Sequence, residues 1–156
     1  MAGENALTTI DGDKKQYIVV KIGSEQYGIE ISYIDNIVRM QSITRVPKAQ
    51  EYFNGIINLR GEVLPVMSIR KRMGLQEDEF NNNTRIIILK IEDRGGLGII
   101  VDQVKEVVEL GPNEIDNYSP ETKDERGDFI KGIGKNNNQL ISLLDLYAII
   151  DDKEGM

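Results

Sequence analysis

Asp116, Glu121, Asp124, Glu125 and Asp128 crowd one acidic stretch of the chain. Grouped carboxylates do two kinds of chemistry: they hold hard cations, and in pairs they exchange protons with a substrate. A cation loop needs its oxygen ligands at set intervals around a glycine, and these five do not follow that spacing. They read as the solvated face of a long surface loop, residues 111–128, which also holds Pro112 and Pro120. The enzymatic alternative is a small β-scaffold hydrolase using a carboxylate pair, but no pair in the sequence is flanked by an evident substrate cleft. The chain has no His and no Cys. It therefore lacks the commonest general base, the commonest transition-metal ligand and every thiolate site. No catalytic residue, metal or cofactor is expected.

Two further clusters invite chemistry and lose it on spacing. The run GGLG, residues 95–98, is glycine-rich, yet a phosphate loop also needs a lysine and a following helix. It reads as a hairpin turn. Arg70, Lys71 and Arg72 are consecutive cations at the end of a short helix, started by Ser68 as N-cap and stopped at Gly74. Cations are favourable near a helix C-terminus without any ligand. A net charge of −7, six Tyr, three Phe and no Trp also oppose nucleic-acid binding, which wants a basic groove with stacking aromatics. Arg60 is different. It lies in a predicted turn within NLRG, residues 58–61, where a guanidinium is presented to solvent and can grip a carboxylate or helix-end carbonyls with two parallel bonds. Its plain alternative is a solvated side chain or an ion pair with Glu62.

The elements behind these groups form a repeat. YIVVKI (17–22), YGIEI (27–31) and IDNIV (34–38) resemble IIILKI (86–91), LGIIV (97–101) and VKEVV (104–108), with the YG and LG pairs 70 residues apart. Further on, Gly55-Ile56 matches Gly132-Ile133, and VLPVMSI (63–69) matches LISLLDL (140–146), at an offset of 77. YIVVKI and IIILKI are β-branched and apolar on both faces, so they belong in central strands. YGIEI alternates, with Tyr27, Ile29 and Ile31 on one side. Residues 22–26, 92–96, 60–61 and 136–138 carry turn chemistry. Pro65 marks its strand as an edge or a bulge. Ser68 and Asp145 both precede short helices at the same repeat position. In IDNIV, Ile37 matches Val107 and is assigned to the core, whereas Ile34 and Val38 are contact residues if exposed. Two small β lobes are expected, residues 16–74 and 85–151, joined by a linker at 75–84 within one domain, residues 16–151. Tails of 1–15 and 152–156 flank it.

The block GIINLRGEVLPVMSIRKRMG, residues 55–74, resembles the signature segment of the chemotaxis coupling family CheW, above all through N-L-R-G-x-x-x-P-V at 58–66. YGIEI with IDNIVR, and LGIIVDQVKEVVEL at 97–110, are similar to the family as well, so the likeness runs over residues 16–151. It implies an all-β fold of two SH3-like five-stranded β-barrel lobes packed around a shared hydrophobic core, with short helices. It implies a non-enzymatic scaffold coupling chemoreceptors to the histidine kinase CheA, with the receptor's cytoplasmic tip and the regulatory domain of CheA as partners. The same domain occurs within CheA and CheV, and the free-standing coupling protein is the form expected here. Receptor binding is implied for Ile34, Asn36, Val38, Asn58, Arg60, Gly61 and Glu62, near a groove between the lobes. Gly55 and Gly61 are structural turn residues that hold the NLRG loop.

The charge is uneven. Residues 16–74 hold eight basic and five acidic side chains, and residues 85–151 hold eight and thirteen, an asymmetry able to orient partners. Apolar runs such as 86–89 fall far below the roughly 20 residues of a membrane helix. Residues 1–15 lack the apolar stretch of a signal peptide. A cytoplasmic protein that binds no nucleic acid and does not insert in membranes is expected.

Overall fold

A computed structural model describes residues 13–93, 95–117 and 128–151. Glu121, Asp124 and Glu125 of the acidic loop, Arg94 and most of both tails lie outside the described residues. The chain is mostly β: β1 (Lys15–Ile22), β2 (Glu25–Glu30), β3 (Ile34–Arg39), β4 (Phe53–Leu59), β5 (Glu62–Ser68), β6 (Arg85–Ile91), β7 (Gly95–Val101), β8 (Gln103–Leu110), β9 (Ile115–Asn117), β10 (Ile130–Asn136) and β11 (Gln139–Leu144). Two short helices, Ile69–Arg72 and Leu146–Ile150, follow β5 and β11. Neither is long and apolar enough to cross a membrane, nor is any other helix among the described residues.

The strands form two sheets, ordered β8-β1-β2-β11-β10-β9 and β3-β6-β7-β5-β4. β1 and β6 lie inside their sheets, as apolar composition on both faces requires. The first sheet has six strands against the five expected. β8 and β9 are neighbours in the chain, separated by the short 3-10 turn Pro112–Glu114. They stand at the two ends of the sheet order, so the sheet returns to the same stretch of chain. The second sheet closes likewise. Thr44, just beyond β3, pairs with Ile56 of β4 through two backbone bonds of 2.8 Å. Closure leaves few unpaired edges for stray association.

Two compact units result, and they are not the contiguous halves 16–74 and 85–151. One takes the described parts of Met1–Val19, Gln26–Ser32 and Lys105–Met156; the other takes Val20–Glu25 and Tyr33–Val104. The reason lies in the pairing. β2 joins β11 in parallel, Gly28 opposite Leu143, and β7 joins β5 in parallel, Gly98 opposite Val66. Each first hairpin thus adds to the second hairpin of the other copy. Gly28 and Gly98 are 70 apart, and Leu143 and Val66 are 77 apart, so the two repeat offsets meet in one register. The apolar cluster of the first unit is Tyr17, Val19, Val108, Leu110, Ile141 and Leu143. That of the second is Ile57, Leu64, Val66, Ile86, Ile88 and Ile100, with Val38, Met40, Ile43 and Leu59 packed on it. Burying each such aliphatic side chain contributes about 1.5–3 kcal/mol.

Two local readings change. Val38 and Met40, and their counterparts Val108 and Leu110, supply the core face, while Val107 is 53% exposed and Ile37 stands outside the cluster. The assignment of Ile37 to the core is therefore corrected. A register shift between Ile34 and Asn36 inserts an extra residue, which turns the following alternation over. β5 is also interior, not an edge. Pro65 is tolerated there because it falls just before the ladder to β7, which runs from Val66 to Ser68.

Both helix caps form. Ser68 Oγ accepts from Lys71 N–H at 3.2 Å, and Asp145 Oδ1 from Ala148 N–H at 3.1 Å. Ser68 also donates its hydroxyl proton to Asp78, which ties the 75–84 segment to the end of β5. The Asp78 side chain is 5% exposed, and burial raises its pKa despite the Ser68 hydroxyl and Arg70. Its second oxygen lies 4.0 Å from Arg70 Nε without a hydrogen bond. A folded-state pKa above the unfolded value stabilises below the unfolded pKa, and that stability is lost as pH rises through the folded one. Asp78→Asn should remove this decline above about pH 4. Urea unfolding followed from about pH 3 to 7 reads it as a flatter stability profile toward neutrality.

Candidate functional site

β4 and β5 make a hairpin in which Leu59 faces Glu62 across the two-residue turn Arg60-Gly61. Both turn residues have positive φ, 54° and 82°, the geometry whose twist matches that of paired strands. Asn58 Oδ1 accepts from Gly61 N–H at 3.2 Å and braces the turn. Asn58, Arg60, Gly61 and Glu62 are all exposed, so one turn brings four of the expected contact residues together. Arg60 has no hydrogen bond or ion pair with any described residue, and the pair with Glu62 does not form.

The second copy has Asn137 and Asn138 in the equivalent turn, with φ of 49° and 67°. Asparagine is among the residues that enter this region most easily; arginine is not. Arg60 thus holds an unfavourable backbone position without a hydrogen bond or ion pair to any described residue. Val63, next along β5, is 58% exposed, and Leu140 at the matching position is 64% exposed. Nothing in the sequence marks Val63 as exposed, because its apolar character suits a core strand.

The β3 residues are arranged differently. Ile34, Asn36 and Val38 are each half-buried. Val38 packs on the core cluster, and Asn36 Oδ1 accepts from Ile37 N–H at 2.8 Å. In the sheet order β6, β7 and β5 separate β3 from β4; the shorter route is through the Thr44–Ile56 bridge. Gly55 lies inside β4 and not in a turn, with φ 142°, and a Cβ built on it would stand 2.1 Å from the Thr44 carbonyl oxygen. It is the residue that lets the bridge form. Gly61 has open space around it, and its requirement is the backbone angle alone.

The other clusters resolve into structure. Arg70 turns inward to Asp102, Lys71 lies 3.7 Å from Glu77, and the Arg72 guanidinium stacks 4.6 Å above the Tyr52 ring. Asp116 pairs with Lys135 at 2.7 Å. Among the described residues no three or more Asp or Glu converge as a metal site.

A family model of the CheW-like domain matches residues 16–154. The chain belongs to the CheW family. It is similar to the chemotaxis protein CheW of Bacillus subtilis, 34% identical over 141 residues that cover 90% of each chain. It is also similar to that of Helicobacter pylori, 35% identical over 135 residues, 86% of this chain and 81% of the relative. Among solved structures, the scaffolding protein TtCheW from Thermoanaerobacter tengcongensis matches with a TM-score of 0.81 and 34% identity, over 89% of this chain and 94% of that one. CheW membership accounts for the mostly β fold of two units and makes the chain a chemotaxis adaptor scaffold. None of these relatives favours the hydrolase alternative.

Proposed function

We propose that this chain couples chemoreceptors to the histidine kinase CheA by holding a receptor's cytoplasmic tip and the kinase's regulatory domain at once, in the cytoplasm and without catalysing a reaction. The observation that carries the receptor half is Arg60: a guanidinium unpaired among the described residues, on an exposed turn, kept at a positive φ where asparagine serves the other copy. An outlier of this kind is a reason to look for use. Arg60, with Asn58, Gly61 and Glu62 around it, offers a forked donor to the carboxylates or helix-end carbonyls of a helical hairpin tip. Ile34, Asn36 and Val38 are secondary contacts, Val38 acting largely by holding β3 in place. The kinase half uses apolar strand and loop residues at a barrel end, against the homologous barrel of the regulatory domain. Bridging raises the local concentration of kinase at the receptor, so weak single contacts suffice. A signal passes only if the receptor's two states bind this bridge unequally.

The test is binding of the full chain to a receptor cytoplasmic fragment and, separately, to a CheA regulatory domain. Arg60→Glu should weaken the receptor contact by about 10–100-fold, the range of a buried interfacial arginine, and change kinase binding by less than about twofold. Arg60→Gly relieves the backbone angle while removing the guanidinium, so it should bind receptor as poorly while unfolding no more easily. Equal loss of both partners in a folded variant would reject the assignment of Arg60 to the receptor.

A further inference from the structure

Arg39 and Arg85 stand directly opposite each other across the antiparallel β3–β6 ladder. Residues so placed share one face, with Cβ atoms about 4.5–5.5 Å apart, and like charges there repel. The cavity they border, about 310 Å³, is lined by Arg39, Met40, Asn81, Asn82, Thr84 and Arg85 and contains no carboxylate. The Arg39 side chain has no hydrogen bond or ion pair with any described residue. Arg85 is held in place: its Nη1 donates to the carbonyls of Asn82 and Thr84, both at 2.8 Å. Its other side-chain nitrogens have no partner among the described residues. The loop is braced in turn, since Thr84 is 2% exposed and its Oγ1 accepts from Asn81 N–H at 2.9 Å. A second cavity, lined by Lys48 and Lys71, is less selective for anions, because Glu51 and Glu77 line it too.

We propose that Arg39 and Arg85 form a binding site for a doubly charged oxyanion, either a phosphate group or a pair of carboxylates. Two guanidiniums supply matching charge and forked donors to such a group. One is pre-set by backbone carbonyls and the other is free to close on the ligand. A bound oxyanion offsets the repulsion across the ladder. This site does not depend on the coupling role.

The experiment uses the full chain with inorganic phosphate, malonate or chloride at matched ionic strength. Thermal unfolding and the NMR signals of the arginine Nε–H groups are the readouts. Phosphate or malonate at roughly tenfold excess over its Kd should raise Tm by about 3–5 °C beyond chloride and shift the Arg39 and Arg85 signals. A response to phosphate alone assigns the site to phosphate groups, and one to malonate alone to paired carboxylates. Arg39→Gln, which breaks no side-chain bond among the described residues, should abolish the response and leave Tm in chloride the same or slightly higher. Equal Tm in all three salts, or a phosphate effect that survives Arg39→Gln, overturns the proposal.

Discussion

Gly55→Ala should destabilise the chain by about 3–5 kcal/mol. The added methyl group meets backbone on the far side: 2.1 Å to the Thr44 carbonyl oxygen and 2.7 Å to its carbon. No rotamer change relieves such a contact. Thr44 must withdraw, and with it go the two 2.8 Å bonds to Ile56 that close the second sheet, each a net contribution of about 1 kcal/mol. A φ of 142° adds backbone strain for any side chain, of order 1–3 kcal/mol. Gly23→Ala is the control. Gly23 also has a positive φ, 66°, but nothing lies within 4 Å of its Cβ position, so only the strain remains. Denaturant unfolding of both variants should separate them by about 2 kcal/mol or more. Equal losses would show that the Thr44–Ile56 closure contributes nothing. The same clash bears on function, because Gly55 and the Arg60 turn belong to one hairpin. Loss of the proposed receptor contact in a Gly55 variant would report displacement of that turn and not contact by Gly55.

Arg70→Met is the second large effect, about 2–4 kcal/mol. Arg70 and Asp102 pair through two bonds, Nε to Oδ1 at 3.1 Å and Nη2 to Oδ2 at 2.5 Å, and Arg70 Nη1 donates to the Gln76 carbonyl at 3.2 Å. Asp102 Oδ2 also accepts from Gly23 N–H at 2.8 Å. Burial works to raise the Asp102 pKa, but the Arg70 hydrogen bonds, the Gly23 amide and nearby cations prevail and leave it below the ordinary value. Methionine fills much of the volume and leaves two carboxylates, Asp102 and the buried Asp78, without the Arg70 guanidinium. The Arg70–Asp102 pair is partly buried, and removing one partner of a pair held out of water costs more than the pair itself is worth. Arg70→Met combined with Asp102→Asn should therefore recover much of the loss, as a double-mutant cycle by denaturant unfolding will read. Arg70→Lys should fall between, since an ammonium cannot reproduce the fork. The linkage also has a sign. A depressed carboxylate stabilises above its unfolded pKa and gives that stability up as pH falls through the folded value. The acid limb of the stability profile should lose the Asp102 share in Arg70→Met, while Asp78→Asn leaves it in place.

The sequence alone determined what is settled within a few residues. The apolar β-branched runs became strands, Ser68 and Asp145 became caps, and Arg60-Gly61 became a turn, because each local backbone need is met by a neighbour two to four positions away. The twofold repeat and the NLRG pattern were legible for the same reason, and with them the family and the turn that carries Arg60. What depends on distant segments was not legible. The exchange of hairpins between the two copies is decided by the parallel pairing of Gly28 with Leu143 and of Gly98 with Val66, and the offsets alone equally suited two contiguous lobes. The face of Val38 was set by one register shift in β3, which no alternation rule foresees. Asp102 as partner of Arg70 and Gly23, and Arg39 opposite Arg85, arise only once strand registers are fixed. Side-chain chemistry is local, whereas the choice of which groups meet is made by long-range pairing, whose energy is shared across the whole sheet.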